Sequence, residues 1–147
     1  MVVAKYPATH GHTTVIDNLC LGLSKLGYTT AIGAFSFSSN PPNNIKMIKL
    51  SKFKLLTKGL DYLDFDIIHS HQPRVNYYLL FKKFTKPVIL HYHGASNFIQ
   101  RKNFIFMMKL FHKKISKIIS VSKSGISQME NMIGHVESEV VYNGVDT

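Results

Sequence analysis

Hydrophobic and polar positions along the chain switch repeatedly between a period of two and a period near 3.6, so strands and helices are predicted to alternate. Residues 1–5 form an apolar strand candidate, followed by a loop at 6–12 broken by Pro7 and Gly11. Val15, Ile16, Leu19, Cys20, Leu23 and Leu26 then recur at helical spacing, with Thr13 or Thr14 expected to cap the start and Gly27 to close the end in a left-handed conformation. Strands are predicted at 29–34 and 45–50 around a polar Ser/Asn/Pro loop, with a helix at 52–62. The runs 66–70 and 88–93 are brief, apolar and polar-tipped, as buried parallel strands opening into loops are. Between them 74–84 reads as helix, with Pro73 suited to its first turn and Pro87 preventing its continuation. A longer helix at 98–114, a strand at 117–121, a helix capped by Ser122 and running to Met132, and a strand at 139–142 follow.

Such alternation predicts an α/β fold: a Rossmann-like parallel sheet with helices on both faces, since right-handed crossovers place helices over the strands they join. At 147 residues the chain encloses one ordinary core and is too short for two. Ligands of these sheets lie at the carboxyl ends of the strands, so that is where chemistry is expected.

Three strand tips carry a His-x-His pair: His10 with His12, His69 with His71, and His91 with His93. Residues two apart on extended backbone share a face, so each pair aims both rings the same way, and convergence at one edge is expected. Clustered imidazoles hydrogen-bond hydroxyls and phosphates and move protons near neutral pH. Histidine pairs also ligate zinc, but catalytic zinc usually takes three protein ligands. None of these loops adds an Asp, a Glu or a second cysteine, so no metal is expected.

Composition narrows the partners. No apolar run approaches the roughly 20 residues of a membrane-spanning helix. The opening residues are too short an apolar stretch for a signal peptide, and the single cysteine, Cys20, falls at a core position of the first helix; a cytoplasmic protein is expected. The formal charge of +10 points to anionic partners. Its lysines are scattered, with no arginine-rich arm, zinc-finger spacing or aromatic nucleic-acid motif, which disfavours nucleic acid.

A family resemblance runs through nearly the whole chain in order. The loop from Ala4 to Gly11, leading into a helix that closes at Leu26-Gly27-Tyr28, resembles the opening of glycosyltransferase family 4. The segment from Asp64 to His71 is similar to that family's His-Ser-His strand, and Lys86 to Gly94 to its strand ending in His-Gly. The segments Ile118 to Ser124 and Val141 to Asp146 resemble the serine-tipped strand and the Asn-Gly-Val-Asp exit from its N-terminal domain. One departure is Gly11-His12, where many relatives carry two adjacent glycines.

The resemblance implies the acceptor-side half of a GT-B enzyme, with residues 1–147 as its N-terminal domain and 143–147 starting the linker to a donor-binding domain that this sequence does not contain. It implies a retaining transfer of a sugar from a nucleotide-diphosphate donor to a saccharide, lipid-linked or other acceptor, with no covalently bound cofactor. By motif position His93 would be catalytic, Gly11 and His12 would lie near the donor phosphates, and His10, His71, Gly94 and Ser122 would meet the acceptor. The expected partner is a donor-side domain or second chain. A sugar- or lipid-binding module without catalysis is the alternative, and a histidine-based metal-dependent hydrolase is disfavoured.

On the 98–114 helix, Phe104, Met107, Met108, Phe111 and Ile115 form a core stripe. Phe106 and Leu110 fall instead among Lys109, Lys113 and Lys114, an arrangement suited to an anionic bilayer, so peripheral attachment to the cytoplasmic membrane is expected there.

Overall fold

A computed structural model describes residues 1–8, 11–42, 45–60 and 62–142. The strands are β1 (Val2–Tyr6), β2 (Ala31–Phe37), β3 (Lys46–Lys49), β4 (Ile68–Ser70), β5 (Val88–Tyr92), β6 (Lys117–Ser120) and β7 (Ser138–Val140). They form one sheet in the order β3-β2-β1-β4-β5-β6-β7, with every neighbouring pair parallel. The helices are α1 (His12–Lys25), α2 (Lys52–Lys58), α3 (Pro73–Leu79), α4 (Phe98–Phe111) and α5 (Lys123–Ile133), with a short 3-10 turn, His112–Lys114, after α4. This is the Rossmann-like α/β sheet expected from the sequence.

Strand alternation splits the core into two layers. Val3, Ile32 and Ala34 bury against Ile16 and Cys20 of α1. Val2, Ile68, Val88, Leu90 and Ile118 point to the other face, where they pack with Leu55 of α2, Val75 and Leu79 of α3, Phe104 and Met107 of α4 and Met129 of α5. Each fully buried large side chain of this kind contributes about 1.5–3 kcal/mol through the apolar area it removes from water. Helix α1 thus covers one face while α2 to α5 cover the other, as right-handed crossovers require in this strand order. Cys20 is a buried free thiol within the α1 layer.

Helix boundaries follow local chemistry, with one correction. Neither Thr13 nor Thr14 caps α1: both lie inside the helix, and Gly11 is the N-cap. Thr13 Oγ1 donates instead to the Ala8 carbonyl at 2.8 Å, tying the first turn to the loop before it. Gly27 takes a positive φ just past the end of α1, as expected. Helix α2 stops at Gly59 rather than reaching Tyr62. Helix α3 ends at Leu79, short of the expected 84, and Lys114 Nζ donates to the Leu80 carbonyl at 2.8 Å. A cation at that position satisfies a terminal carbonyl and complements the helix dipole.

The sheet opens at its centre. β1 and β4 share the register pair Val2↔Ser70, and His71 N donates to Val2 O at 3.1 Å. Beyond that point Ala4 N donates to the side chain of Gln72 at 2.9 Å rather than to a strand neighbour. The chain turns one way from β1 towards β3 and the other way from β4 towards β7, so this gap is the topological switch point at which ligands of open α/β sheets bind.

Candidate functional site

Four histidines line the switch point. Because Ile68, Val88, Leu90 and Tyr92 face α2 to α5, the alternate residues His69, His71, His91 and His93 face the side that carries α1. Neighbouring strands interleave them: His71 Nδ1 lies 3.1 Å from His93 Nε2, and His91 Nδ1 lies 3.2 Å from His69 Nε2. His69 stacks on His71 with ring centroids 4.4 Å apart, and His91 on His93 at 4.3 Å. His12, in the first turn of α1, stacks on His93 from above at 4.1 Å.

Burial sets the charge of this cluster. His71 and His91 are 1% and 3% exposed, while His69 and His93 are half-buried. Loss of water around the imidazolium, reinforced by repulsion from neighbouring imidazoles, holds His69 and His93 down to about 3 and His91 to about 4, and keeps His71 well below its ordinary value. All four are therefore neutral at pH 7. A neutral imidazole has one donor and one acceptor nitrogen, so each His–His bond couples the tautomers of its two rings.

The loop after β5 is held from across the fold. Gly94 has φ +97°, which a residue with a Cβ adopts only under strain, so glycine is required to turn the chain immediately after His93. Gln128 of α5 fastens this turn. Its Oε1 accepts from Tyr92 Oη at 2.6 Å and from Ala95 N at 3.0 Å, and its Nε2 donates to Ala95 O at 3.2 Å. Gln128→Ala is expected to cost about 1–3 kcal/mol, because it leaves partly buried backbone groups unpaired. Urea denaturation would measure the loss, and amide exchange should quicken first at Ala95. Unchanged exchange there would show that the loop holds itself.

At the other side of the opening, Gly11 has φ 77° and ψ −5° and forms the N-cap of α1 without a side-chain cap. A Cβ added there would meet nothing within 4 Å, so the glycine is needed for its left-handed backbone and not for lack of room. The first turn of α1 contains no acidic residue, so the positive end of its dipole faces the opening uncompensated by a carboxylate.

The family model described as Glycosyltransferase Family 4 matches residues 9–147. The chain belongs to glycosyltransferase family 4. No curated protein matches it.

Family membership makes the chain glycosyltransferase-like and gives the imidazole rim its context. Gly11, His12, His71, His93 and Gly94 come together at this rim, although they are separated by up to four intervening strands in sequence. His12 stands where many family 4 relatives carry a second glycine, and its ring covers His93. His71 is buried beneath His93, so its ring reaches the opening through that residue. Ser122 sits on the same sheet edge as the cap of α5, where its Oγ accepts from Gly125 N at 3.0 Å and lies 3.0 Å from Ser124 Oγ. His10 and the Asn143 to Asp146 segment fall outside the described residues, as does the expected linker at 143–147.

Two further sets of residues belong to the site. His69 and His91 are the inner members of pairs visible in the sequence, and the tertiary fold packs them under the outer ones. Gln72 and Gln128 carry no local signal, because each acts on a strand or loop distant in sequence.

Proposed function

We propose that this family 4 chain forms the acceptor-side wall of a retaining glycosyltransferase, which moves a sugar from a nucleotide-diphosphate donor to a saccharide or lipid-linked acceptor. A donor-side domain, in the same polypeptide or a second one, supplies the facing wall. The observation that carries this reading is the placement of neutral His93 at the switch point, beside the uncapped start of α1. A neutral imidazole there hydrogen-bonds a sugar hydroxyl without a charge penalty, and His71 sets its tautomer. The α1 terminus offers backbone N–H groups and a positive dipole to the diphosphate, and Gly11 adds no side chain to that approach. His12 joins this phosphate-proximal edge, and Gly94 keeps the acceptor side open next to His93. Mixing the chain with a donor-side domain of the family and a panel of nucleotide sugars tests the reading. Complex formation with donor hydrolysis or transfer is expected; absence of both across the panel rejects it.

The membrane contact rests on a separate surface. Phe106 and Leu110 on α4 are 57% and 53% exposed, and Lys109 and Lys113 beside them are exposed too. Leu110 and Phe111 join Leu56, Tyr77, Tyr78 and Phe81 in lining an open apolar groove of about 540 Å³. Lys114 Nζ donates to the Leu80 carbonyl and lies 5.8 Å from the centre of the Phe111 ring, so it adds to the cationic contribution of Lys109 and Lys113 at this surface. Among the described residues no helix is long and apolar enough to cross a membrane, which restricts contact through them to the interface. Each lysine near an anionic surface is worth about 1 kcal/mol, so several together give salt-sensitive binding. The chain is expected to sediment with anionic vesicles at low salt and to release at high salt. Phe106→Asp with Leu110→Asp should weaken that binding on the order of tenfold or more. No sedimentation at low salt removes the membrane role.

A further inference from the structure

We infer that His69, His71 and His91 form a binding site for one zinc ion beneath the proposed transfer site. One nitrogen from each of the three lies within 4.8 Å of the others. The Nε2 atoms of His71 and His91 are buried and have no hydrogen-bond partner among the described residues, a condition that a metal bond relieves. The third ligand sought in the sequence within a single loop comes instead from the adjacent strand. β4 and β5 are paired in register at Ile68↔Val88, His69↔Ile89 and Ser70↔Leu90, so the ligands stand on rigid backbone.

The donor set selects the metal. Three neutral imidazoles suit zinc, with copper and nickel as competitors, whereas magnesium and calcium require oxygen ligands that the cluster lacks. Zinc–nitrogen bonds of about 2.0–2.1 Å place tetrahedral ligands roughly 3.4 Å apart. The rings must therefore draw together from their present spacing, and the His69–His91 hydrogen bond must open. An ion held through His71 Nε2 leaves Nδ1 protonated, so that His71 donates to His93 Nε2 and His93 carries its own proton on Nδ1. Zinc would thereby fix the tautomer of the residue facing the opening, as a neighbour of the transfer site and not as a participant in bond breaking.

The test uses the whole chain without an affinity tag, stripped by chelator and then titrated with zinc chloride in a calorimeter and with cobalt as a spectroscopic probe. One equivalent of micromolar or tighter zinc, and a visible cobalt band of tetrahedral intensity, are expected. His69→Gln and His91→Gln should each weaken binding at least tenfold. His135→Gln, at an exposed histidine paired with Glu130, should leave binding unchanged. Binding that survives His69→Gln, or that His135→Gln removes, overturns the site. So does the absence of a one-to-one complex in the unaltered chain, which decides the matter even where His91→Gln fails to fold. The readout is metal occupancy, so it stands or falls independently of sugar transfer.

Discussion

Transfer by the reconstituted enzyme should fall on the order of 10²–10³-fold when His93 is replaced by alanine, the effect of removing one preorganised hydrogen-bond donor from a developing charge. The loss is expected in kcat more than in KM, because a bond that strengthens in the transition state affects the chemical step more than ground-state binding. His93 is half-buried at the rim, and its ring bonds to His71 and stacks with His12 and His91. Truncation opens His71 Nδ1 to water and leaves the strand pairing of β5 untouched, so circular dichroism and the thermal midpoint should stay close to those of the unaltered chain. His71→Asn acts at one remove: it frees the His93 tautomer and should give a smaller loss together with a shifted pH–rate profile. Near-normal turnover in His93→Ala would reject the role assigned to that ring.

Acid should unfold this domain earlier than its lysine-rich surface would suggest. His69, His91 and His93 protonate at about 3, 4 and 3 in the folded chain, and His71 lower than its ordinary value, against 6.5 when unfolded. Between these limits the unfolded state binds more protons than the folded one, so stability rises with pH across the window. The contribution is complete above pH 6.5 and is lost as the pH falls towards 4. Each such histidine steepens that dependence, and all four act in the same direction. His12 and the N-terminal ammonium of Met1 are the other titratable groups acting on this cluster, and no carboxylate offsets it among the described ring contacts. Asp17, bonded to Tyr6 Oη, has a raised pKa through burial and so acts in the opposite sense, around and above its ordinary value of 3.8. Urea midpoints measured with chelator present should drop steeply from pH 7 to pH 5. A flat profile would show that the imidazoles charge without cost and that the cluster is hydrated.

Local signals carried the architecture a long way. Ile16 and Cys20 are four residues apart and both fully buried, as helical spacing demands, and Phe104, Met107 and Met108 of α4 are buried as predicted. Ser122 caps α5 because a short hydroxyl side chain before a helix satisfies a free N–H wherever that helix lies. Where the reading missed, a contact from outside the helix intervened. The cap expected at Thr13 or Thr14 gave way to Gly11 once the Ala8 carbonyl claimed the Thr13 hydroxyl, and α3 stops at Leu79, where Lys114 from beyond α4 bonds the Leu80 carbonyl.

The sequence by itself determined which segments are strands and helices, which of their faces are apolar, and that His71 and His93 follow directly on strands. Those properties follow from side-chain period and backbone preference, which act over a few residues. Only the tertiary structure decided that β4 pairs with β5 and borders β1, and therefore that His71 meets His93, that His12 covers it, and that Gln128 holds the turn beside it. Strand order and helix docking are set by burial shared between segments far apart in the chain, and no local window records that sharing.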